Sequence, residues 1–401
     1  MISYEGILDR LAGGARATLT PDAPVPSWRP EPPEELGEKP AEGAYGYLVG
    51  DKRQVSTAEG VAERLAESPG IPAVWTPETA ALTRPEDVPS LHAAVHQRMR
   101  RALRKAAVGA GVVAAVMAAV VVGLWLVWDV GLGSLFAVIG MIAVVEMLQA
   151  LGSLHGLRTF DPGIFPRARQ AGRHAVWLMA RPAPHTQWLA GWLVAVAAVG
   201  IVVDDRALAV AGLVKDRVWA EPFRLVTAAL LHVHFFHAWM NVPALLWLGR
   251  LVEAHTPRAR VALVFLVSAL GGTLLSAAID PRTSVGASGG ILGLVGYLVV
   301  MAHRRPGELP DGFGRVLRSA VAATAALGVL GISFIDNAAH LGGFAAGMAL
   351  GRAMSSYDEG DEPRWLRAAG WAALGVVTAA ALATLLLVFF DPLGSAAARG
   401  R

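Results

Sequence analysis

The sequence predicts an all-α fold: a polytopic helix bundle that crosses a membrane several times, preceded by a small soluble N-terminal domain. Of its 401 residues, 54% are hydrophobic and only 17% are charged, and the mean hydropathy is +0.47. An ordinary soluble domain of this size is much less apolar. The apolar residues also gather into runs of nearly bilayer thickness, for which about 20 helical residues are needed. We therefore expect a multi-span membrane protein that has the lipid bilayer as a partner.

Charge and cysteine content narrow the class of protein further. The formal net charge is +3, too small to indicate nucleic-acid binding, so no nucleic-acid partner is predicted. The chain has no cysteine, which excludes disulfides and thiol chemistry. The segment Met1–Arg10 is acidic and polar rather than basic and then apolar, so no cleavable signal peptide is predicted there.

Residues 1–105 are predicted to be a cytoplasmic soluble region. Residues 21–40 are rich in proline and glutamate, which is typical of a linker. A small unit follows, with a predicted strand at Tyr45–Val49 and a short helix whose N-cap is Ser56 or Thr57. About 50 residues enclose only a small core, so this unit is expected to be marginally stable.

Nine apolar runs follow and predict membrane helices. Several are shorter than a full span, because helices continue into polar flanks and a helix surrounded by protein need not be wholly apolar. The run that carries Glu146 and Gln149 is either a transmembrane helix or an amphipathic or re-entrant segment. The runs lie at residues 107–128, 132–151, 187–204, 237–252, 260–279, 287–302, 318–335, 339–353 and 366–390.

Arginine and lysine residues beside these runs give an orientation by the positive-inside rule. A basic cluster from Arg98 to Lys105 precedes the first run, and five arginines lie between residues 156 and 181. Both segments are therefore predicted to be cytoplasmic, with the N-terminus inside and, after nine spans, the C-terminus outside. The segment 204–231 is predicted outside although it carries four basic residues, and a loop folded on or into the membrane surface would explain them.

Three polar clusters head predicted helices, and they are candidate functional sites because polar side chains are costly at membrane depth. Ser288 lies in the segment Gly286–Gly289, and His340 lies 52 positions later. A serine hydroxyl becomes a nucleophile when a base within hydrogen-bond reach takes its proton. Both residues lie near the outer ends of their predicted helices, so they share a depth in the membrane.

Glycines on the two helices favour a close approach, because membrane helices pack tightly where their side chains are small. Gly289 and Gly293 form one small face, and Gly343, Gly347 and Gly351 form the other. The alternative is that the serine is only a helix N-cap and the glycines are ordinary packing positions. The histidine at a matching depth, on a matching glycine face, favours a serine–histidine pair.

The remaining cluster includes His237 and Asn241, which lie four residues apart and hence on one helical face. Both can donate hydrogen bonds to a developing oxyanion, and the free backbone amide of Ser288 at a helix start is a further candidate donor. The alternative is that they form interhelical hydrogen bonds that only stabilise the fold. A metal site with His232 and His234 is also conceivable, but the local pattern lacks a carboxylate or thiolate, so no metal and no cofactor are predicted.

In combination these segments resemble the rhomboid family of intramembrane serine proteases. The resemblance covers residues 187–355 and implies a six-helix core, with the C-terminal apolar run as a seventh helix. It implies that Ser288 is the nucleophile and His340 the general base, without an acidic third member. It also implies that His237 and Asn241 help to form the oxyanion hole together with the amide of Ser288.

The resemblance implies supporting roles for further residues. His232 matches a histidine of structural function, and Arg224, which follows Phe223, matches the arginine of a Trp-Arg pair in the first outer loop. Gly249 and Glu253 match a glycine and a glutamate that close the second core helix. The predicted structural or supporting residues are His232, Arg224, Gly286, Gly289, Gly343 and Gly347.

These expectations divide the chain into five parts. A soluble region with its linker is followed by an extra transmembrane hairpin, a basic cytoplasmic linker, the rhomboid protease core, and a seventh transmembrane helix with its tail. In the same order, their boundaries are 1–105, 106–152, 153–186, 187–355 and 356–401.

The expected activity is that of an intramembrane serine endopeptidase, which cuts transmembrane segments of other membrane proteins near the outer face. The expected location is the plasma (inner) membrane, with the N-terminus cytoplasmic. A catalytically inactive rhomboid-like protein that binds membrane clients is one alternative, although a binder needs none of the four candidate catalytic side chains. A proton-coupled transporter is another, although the inner halves of the predicted helices are nearly free of charge.

Overall fold

In the computed structural model the chain forms two compact units, Met1–Ala180 and Arg181–Arg401. In the N-terminal unit most of the described residues belong to a small folded part and the helix that follows it. In the C-terminal unit nearly all residues up to 390 are described. The described residues are 41, 43–49, 52–67, 74–78, 85–128, scattered positions between 146 and 179, and 181–390 without 306–307, 310–311, 333–334 and 355–361.

The N-terminal unit contains a three-stranded antiparallel sheet in the order β2-β1-β3. Its strands are β1 (Tyr45–Val49), β2 (Lys52–Ser56) and β3 (Val74–Trp75). The first strand is the predicted one, whereas β2 and the two-residue β3 were not predicted. Helix α1 (Ala58–Glu67) packs on this sheet, and Thr57 caps it by accepting the N–H of Gly60.

A long helix, α2 (His92–Trp128), follows in the same unit. Its first turn contributes Ala94 to the core that Tyr47, Val61 and Leu65 form. The predicted first apolar run is therefore the C-terminal part of one continuous helix. The predicted second run, 132–151, lies largely outside the described residues.

The C-terminal unit is helical. Each of the seven apolar runs predicted from residue 187 onward corresponds to one long helix, and a short helical turn lies between the first two. In order, the helices are α3 (Pro184–Ala211), α4 (Arg224–Thr227), α5 (Phe235–His255), α6 (Arg260–Ile279), α7 (Ser288–Arg304), α8 (Phe313–Leu330), α9 (Asn337–Met354) and α10 (Arg364–Phe390).

Four described helical segments are long and apolar enough to cross a membrane. One begins three residues before α2 and continues into it, and three lie in the C-terminal unit, where the apolar α7 is somewhat shorter. This supports an integral membrane protein, as the composition predicts. The four segments are Pro89–Val120, Pro184–Val203, Arg260–Ile279 and Arg364–Phe390.

Helix α9 packs against α7 through the predicted glycine faces. A Cβ atom on Gly343 would collide with the carbonyl group of Gly289, and one on Gly347 would collide with that of Gly293. The two backbones are therefore in direct contact, which only small residues permit. On its other side α9 meets α6, where a Cβ on Gly271 would collide with the Cβ of Ala346.

The buried carboxylate of Glu253 fastens the end of α5 to the start of α3. It accepts the backbone N–H groups of His185 and Thr186 at 3.0 and 2.8 Å, and the Thr186 hydroxyl at 2.7 Å. A carboxylate in this position satisfies the free N–H groups of a helix start and the positive end of its dipole. One turn earlier, a Cβ on Gly249 would collide with Thr186. The glycine and glutamate of the resemblance thus have a packing role.

A buried cation fastens α10 to the bundle. Arg260, which is 2% exposed, donates to Glu362 Oε1 through Nη2 at 2.8 Å and to the carbonyl oxygen of Met354 at 3.2 Å. It also lies within 3.3 Å of the hydroxyl of the fully buried Tyr297. The burial of this ion pair is tolerated because hydrogen bonds from several partners satisfy the guanidinium group.

Candidate active site

Ser288 and His340 meet at the ends of two adjacent helices. Ser288 is the first residue of α7, and His340 lies in the first turn of α9. The Nε2 atom of His340 lies 2.8 Å from the Oγ atom of Ser288, which is a hydrogen-bond distance. With the ring proton on Nδ1, Nε2 can accept the hydroxyl proton. The arrangement has the components of an activated nucleophile.

The glycine contact between α7 and α9 positions this pair. Gly289 follows Ser288 directly, and Gly343 lies three residues after His340. Because the backbones touch at these glycines, the two side chains that precede them point across a very short gap. A larger residue at either glycine would move the helices apart and lengthen the distance between the hydroxyl and the imidazole.

His237 of α5 lies beside the segment that leads to Ser288. Gly286 has a φ angle of +125°, which L-residues rarely adopt, and a Cβ atom there would collide with the His237 ring. The N–H of Gly286 donates to the carbonyl oxygen of Ala228 at 2.9 Å, which fixes this segment. Among the described residues, the His237 ring forms no hydrogen bond, so its N–H group is free to bind a ligand.

Asn241 and His232 support His237 from behind, and both are buried. The Nδ2 atom of Asn241 lies 3.0 Å from His232 Nε2 and 3.0 Å from the carbonyl oxygen of His237. The Nδ1 atom of His232 lies 3.2 Å from the carbonyl oxygen of Leu230, and its ring packs edge-on against His237 with centroids 4.8 Å apart. Both amide protons of Asn241 are thus engaged. Asn241 must exchange a hydrogen bond to reach an oxyanion, whereas His237 need not.

Asp336 is a helix cap. Its Oδ1 atom accepts the N–H of Ala339 at 2.8 Å, the bond expected of an N-cap residue of α9. Its Oδ2 atom accepts the hydroxyl of Ser276 at 2.5 Å. Among the described residues, neither oxygen is hydrogen-bonded to the His340 ring. The geometry is therefore that of a serine–histidine pair without a carboxylate partner.

Arg224, the first residue of α4, fastens this short helix to the end of α3. It is 1% exposed, and its guanidinium group donates to the carbonyl oxygens of Gly212 and Ala209 at 2.8 and 2.9 Å and to Glu221 at 2.6 Å. Internal partners thus account for this basic residue on the predicted outer side, and the same holds for Lys215. Burial lowers the pKa of Lys215, while the carboxylate of Asp336 opposes this shift.

The predicted site residues thus come together in one place. Ser288, His340 and His237 surround the start of α7, while Asn241 and His232 lie behind His237. Arg224 lies at the start of α4, in the segment between α3 and α5. The cluster of Lys215, Ser276 and Ser284 could not be predicted from the sequence, because its members are far apart in the chain and form no local motif.

Residues 219–357 match the rhomboid domain. The chain therefore contains a rhomboid domain. It is 35% identical over 140 residues to RHOMBOID-like protein 1 of Arabidopsis thaliana, a segment that covers 34% of each chain. It is 34% identical over 134 residues to the mitochondrial RHOMBOID-like protein 6 of the same plant, covering 33% of this chain and 43% of the relative.

A bacterial relative is the rhomboid protease GluP of Bacillus subtilis, strain 168. The identity is 31% over 127 residues, which cover 32% of this chain and 25% of that protein. The chain therefore spans less than half the length of each of these three relatives. The family match itself concerns residues 219–357.

The matched rhomboid domain contains the whole candidate site. It begins in the loop before α4 and ends just after α9, so it begins later than the predicted core of residues 187–355. The predicted five-part division of the chain stays a prediction. The candidate residues within the matched segment are Arg224, His232, His237, Asn241, Gly286, Ser288, Gly289, His340, Gly343 and Gly347.

Proposed function

We propose that this rhomboid protein is an intramembrane serine endopeptidase that cuts transmembrane segments of other membrane proteins near the outer face. The observation that carries the proposal is the distance of 2.8 Å between His340 Nε2 and Ser288 Oγ. The similarity to a relative named as a rhomboid protease supports it. The nucleophile is Ser288 and the general base is His340.

The chemistry follows from these positions. As Ser288 Oγ attacks the scissile carbonyl carbon, His340 Nε2 takes the hydroxyl proton, and the carbonyl oxygen becomes an oxyanion. The oxyanion is stabilised by the ring N–H of His237 and by the free amide N–H at the start of α7. The imidazolium then gives its proton to the leaving amine, and an acyl-enzyme forms. Water, activated by the same histidine, hydrolyses this ester.

The substrate class follows from the depth of the site. The pair lies at the ends of α7 and α9 that the basic flanks assign to the outer side. A membrane-spanning helix can present its backbone there only after local unwinding, because its own hydrogen bonds shield the scissile carbonyl. The N-terminus is then cytoplasmic, and the plasma (inner) membrane is the proposed location.

A rhomboid-like protein that binds membrane clients without cleaving them is the second candidate. Such a protein needs neither a nucleophile nor a base. The hydrogen bond between Ser288 and His340, together with the unengaged N–H of His237, favours the protease.

The test measures initial cleavage of a model transmembrane substrate by the purified full chain in liposomes. Ser288→Ala and His340→Ala are each expected to abolish cleavage, and the double variant is expected to be no worse, because the two residues act as one unit. Thermal unfolding serves as the folding control. A well-folded Ser288→Ala protein with full activity would refute the serine-protease proposal.

Two matched control variants test whether any loss of cleavage is specific to Ser288 and His340. Ser268 is a buried serine of α6 whose hydroxyl has no hydrogen-bond partner among the described residues, so Ser268→Ala should keep its activity. His234 is an exposed histidine of the loop before α5, so His234→Ala should do the same. Loss of cleavage in either variant would indicate that the effect of the alanine is not specific to the proposed pair.

A further inference from the structure

A buried lysine connects four segments at the outer end of the bundle. Lys215 lies in the loop after α3, and its side chain is only 9% exposed. Its ammonium group donates to the hydroxyl of Ser276 in α6 and, at 3.1 Å, to that of Ser284 in the loop before α7. Its Nζ atom lies 3.9 Å from Asp336 Oδ2 at the start of α9. Ser276 is fully buried, and the other three residues of this polar cluster are partly buried.

Two partners of this lysine are tied directly to the proposed catalytic pair. Ser284 is held by backbone hydrogen bonds with Leu213, of which the bond from Leu213 N to Ser284 O is 3.0 Å long. It lies four residues before Ser288. Asp336 caps α9 and lies four residues before His340, whose backbone N–H donates to the Asp336 carbonyl oxygen at 3.1 Å. The ammonium group thus lies between the segment that carries the nucleophile and the helix end that carries the base.

We propose that Lys215 is a positioning residue for the Ser288–His340 pair. Its ammonium group holds the loop before α7 and the capping carboxylate of α9 together, and no atom of it contacts the substrate. The inference rests on the proposed function. It adds the residue that keeps the Ser288 hydroxyl within hydrogen-bond distance of the His340 imidazole.

The charge balance of the cluster makes this role testable. A largely buried carboxylate that loses its cation is unfavourable, whereas the loss of both charges leaves a neutral cluster that can stay hydrogen-bonded; the Asp336 side chain is 15% exposed. The nearby Asp280 and Arg282 are paired with each other at 2.5 Å, so neither replaces the lost partner. Removal of Lys215 alone should therefore displace Asp336 and the start of α9, and removal of both charges should not.

The experiment measures how fast Ser288 reacts with a fluorophosphonate in the purified full chain. In this reaction Ser288 Oγ bonds to phosphorus, fluoride leaves, and the hydroxyl proton passes to His340, so the rate reports on the pair without a peptide substrate. The variants are Lys215→Met, Asp336→Asn and their combination, because asparagine also serves as an N-cap. Arg217→Met is the matched control, since Arg217 is an exposed cation of the same loop.

We expect Lys215→Met to slow labelling about 10- to 100-fold, because small displacements of reacting groups have large effects on rate. The combination with Asp336→Asn should return the rate to within about threefold of wild type, and Arg217→Met should stay within about twofold. A lysine that only packs by its aliphatic stem would not be rescued by the loss of a carboxylate. Labelling of Lys215→Met within about twofold of wild type overturns the proposal, as does a folded double variant that is as slow as Lys215→Met.

The outcomes separate this inference from the proposed function. If wild type is labelled no faster than Ser288→Ala, the proposed function fails and this inference fails with it. If wild type is labelled and cleaves substrate, but Lys215→Met and its combination with Asp336→Asn are labelled at the same rate, only the positioning role fails. If Lys215→Met does not fold, the neutral double variant decides, because it must fold and react at nearly the wild-type rate.

Discussion

At the scale of single residues, His237 and Asn241 differ in whether their hydrogen-bond donors are already engaged. The His237 ring has no hydrogen-bond partner among the described residues, whereas Asn241 donates both amide protons, one to His232 and one to the backbone carbonyl oxygen of His237. From the helical spacing and the family resemblance, His237 and Asn241 were predicted to have the same role as oxyanion donors. In the structure His237 has a free donor that can bind an oxyanion, whereas Asn241 holds His232 and His237 in place.

This difference predicts two kinds of defect. His237→Ala should lower kcat about 100-fold, the effect of losing one oxyanion donor, with little change in thermal stability. Asn241→Ala should also destabilise the protein by roughly 1–3 kcal/mol, because the buried His232 then loses its partner. Cleavage rates and unfolding temperatures of both variants check this. Equal destabilisation by the two substitutions would show that His237 has a structural bond of its own.

The residues of the candidate site differ in how far a sequence reveals them. Ser288 and His340 each lie in a short local pattern of glycines at the head of an apolar run, so they could be predicted. Lys215 could not, because its partners Ser276 and Ser284 are 61 and 69 residues away and only the folded chain brings them together. Its charge in a predicted outer loop was the single signal available.

At the scale of helices, the contact of α7 with α9 depends on glycines, and this predicts a substitution pair. In Gly347→Ala the new methyl group would collide with the backbone of Gly293, so α9 must move away from α7. We expect a lower unfolding temperature and a cleavage rate reduced at least about tenfold. The matched control is Gly375→Ala in α10, where a Cβ atom meets nothing within 4 Å. A Gly347→Ala protein as active as this control would contradict the proposed helix contact.

Hydropathy predicts that a helix is present but not where it begins and ends. The predicted run 318–335 is displaced from the observed α8, which starts earlier at Phe313, after Gly312 with a positive φ of 84°, and ends before Gly331. Apolar residues continue beyond the end of this helix, because they follow the depth of the chain in the membrane rather than its hydrogen bonding. The glycine spacing, in contrast, predicted the contact between α7 and α9, since close packing permits few other residues.

At the scale of the whole molecule, the candidate site lies entirely in the C-terminal unit. We therefore predict that the N-terminal folded part is dispensable for the chemistry. A truncated chain that starts near Val95 keeps most of α2 and the basic residues that orient it, and it should cleave a model substrate at a rate within about threefold of the full chain. Cleavage in liposomes and thermal unfolding of both proteins provide the measurement. A folded truncated protein without activity would assign a catalytic contribution to the removed residues.

The last prediction concerns the orientation of the molecule in the membrane, on which the proposed site of cleavage depends. Helix α7 has 17 residues and so extends about 25 Å, a little less than the hydrocarbon core. Exposed positions flank it: Thr283 on the side of the catalytic pair and His303 on the side of the basic residues. The chain has no cysteine, so single substitutions Thr283→Cys and His303→Cys can be labelled without background.

With a membrane-impermeant maleimide and intact cells, Thr283→Cys should label, and His303→Cys should label only after the membrane is opened. The physical reason is that Arg304 and Arg305 hold their end of α7 on the cytoplasmic side. Access of both cysteines from one side would mean that α7 does not cross the bilayer. The opposite pattern would place Ser288 and His340 at the inner face, and cleavage would then occur on the cytoplasmic side of the membrane.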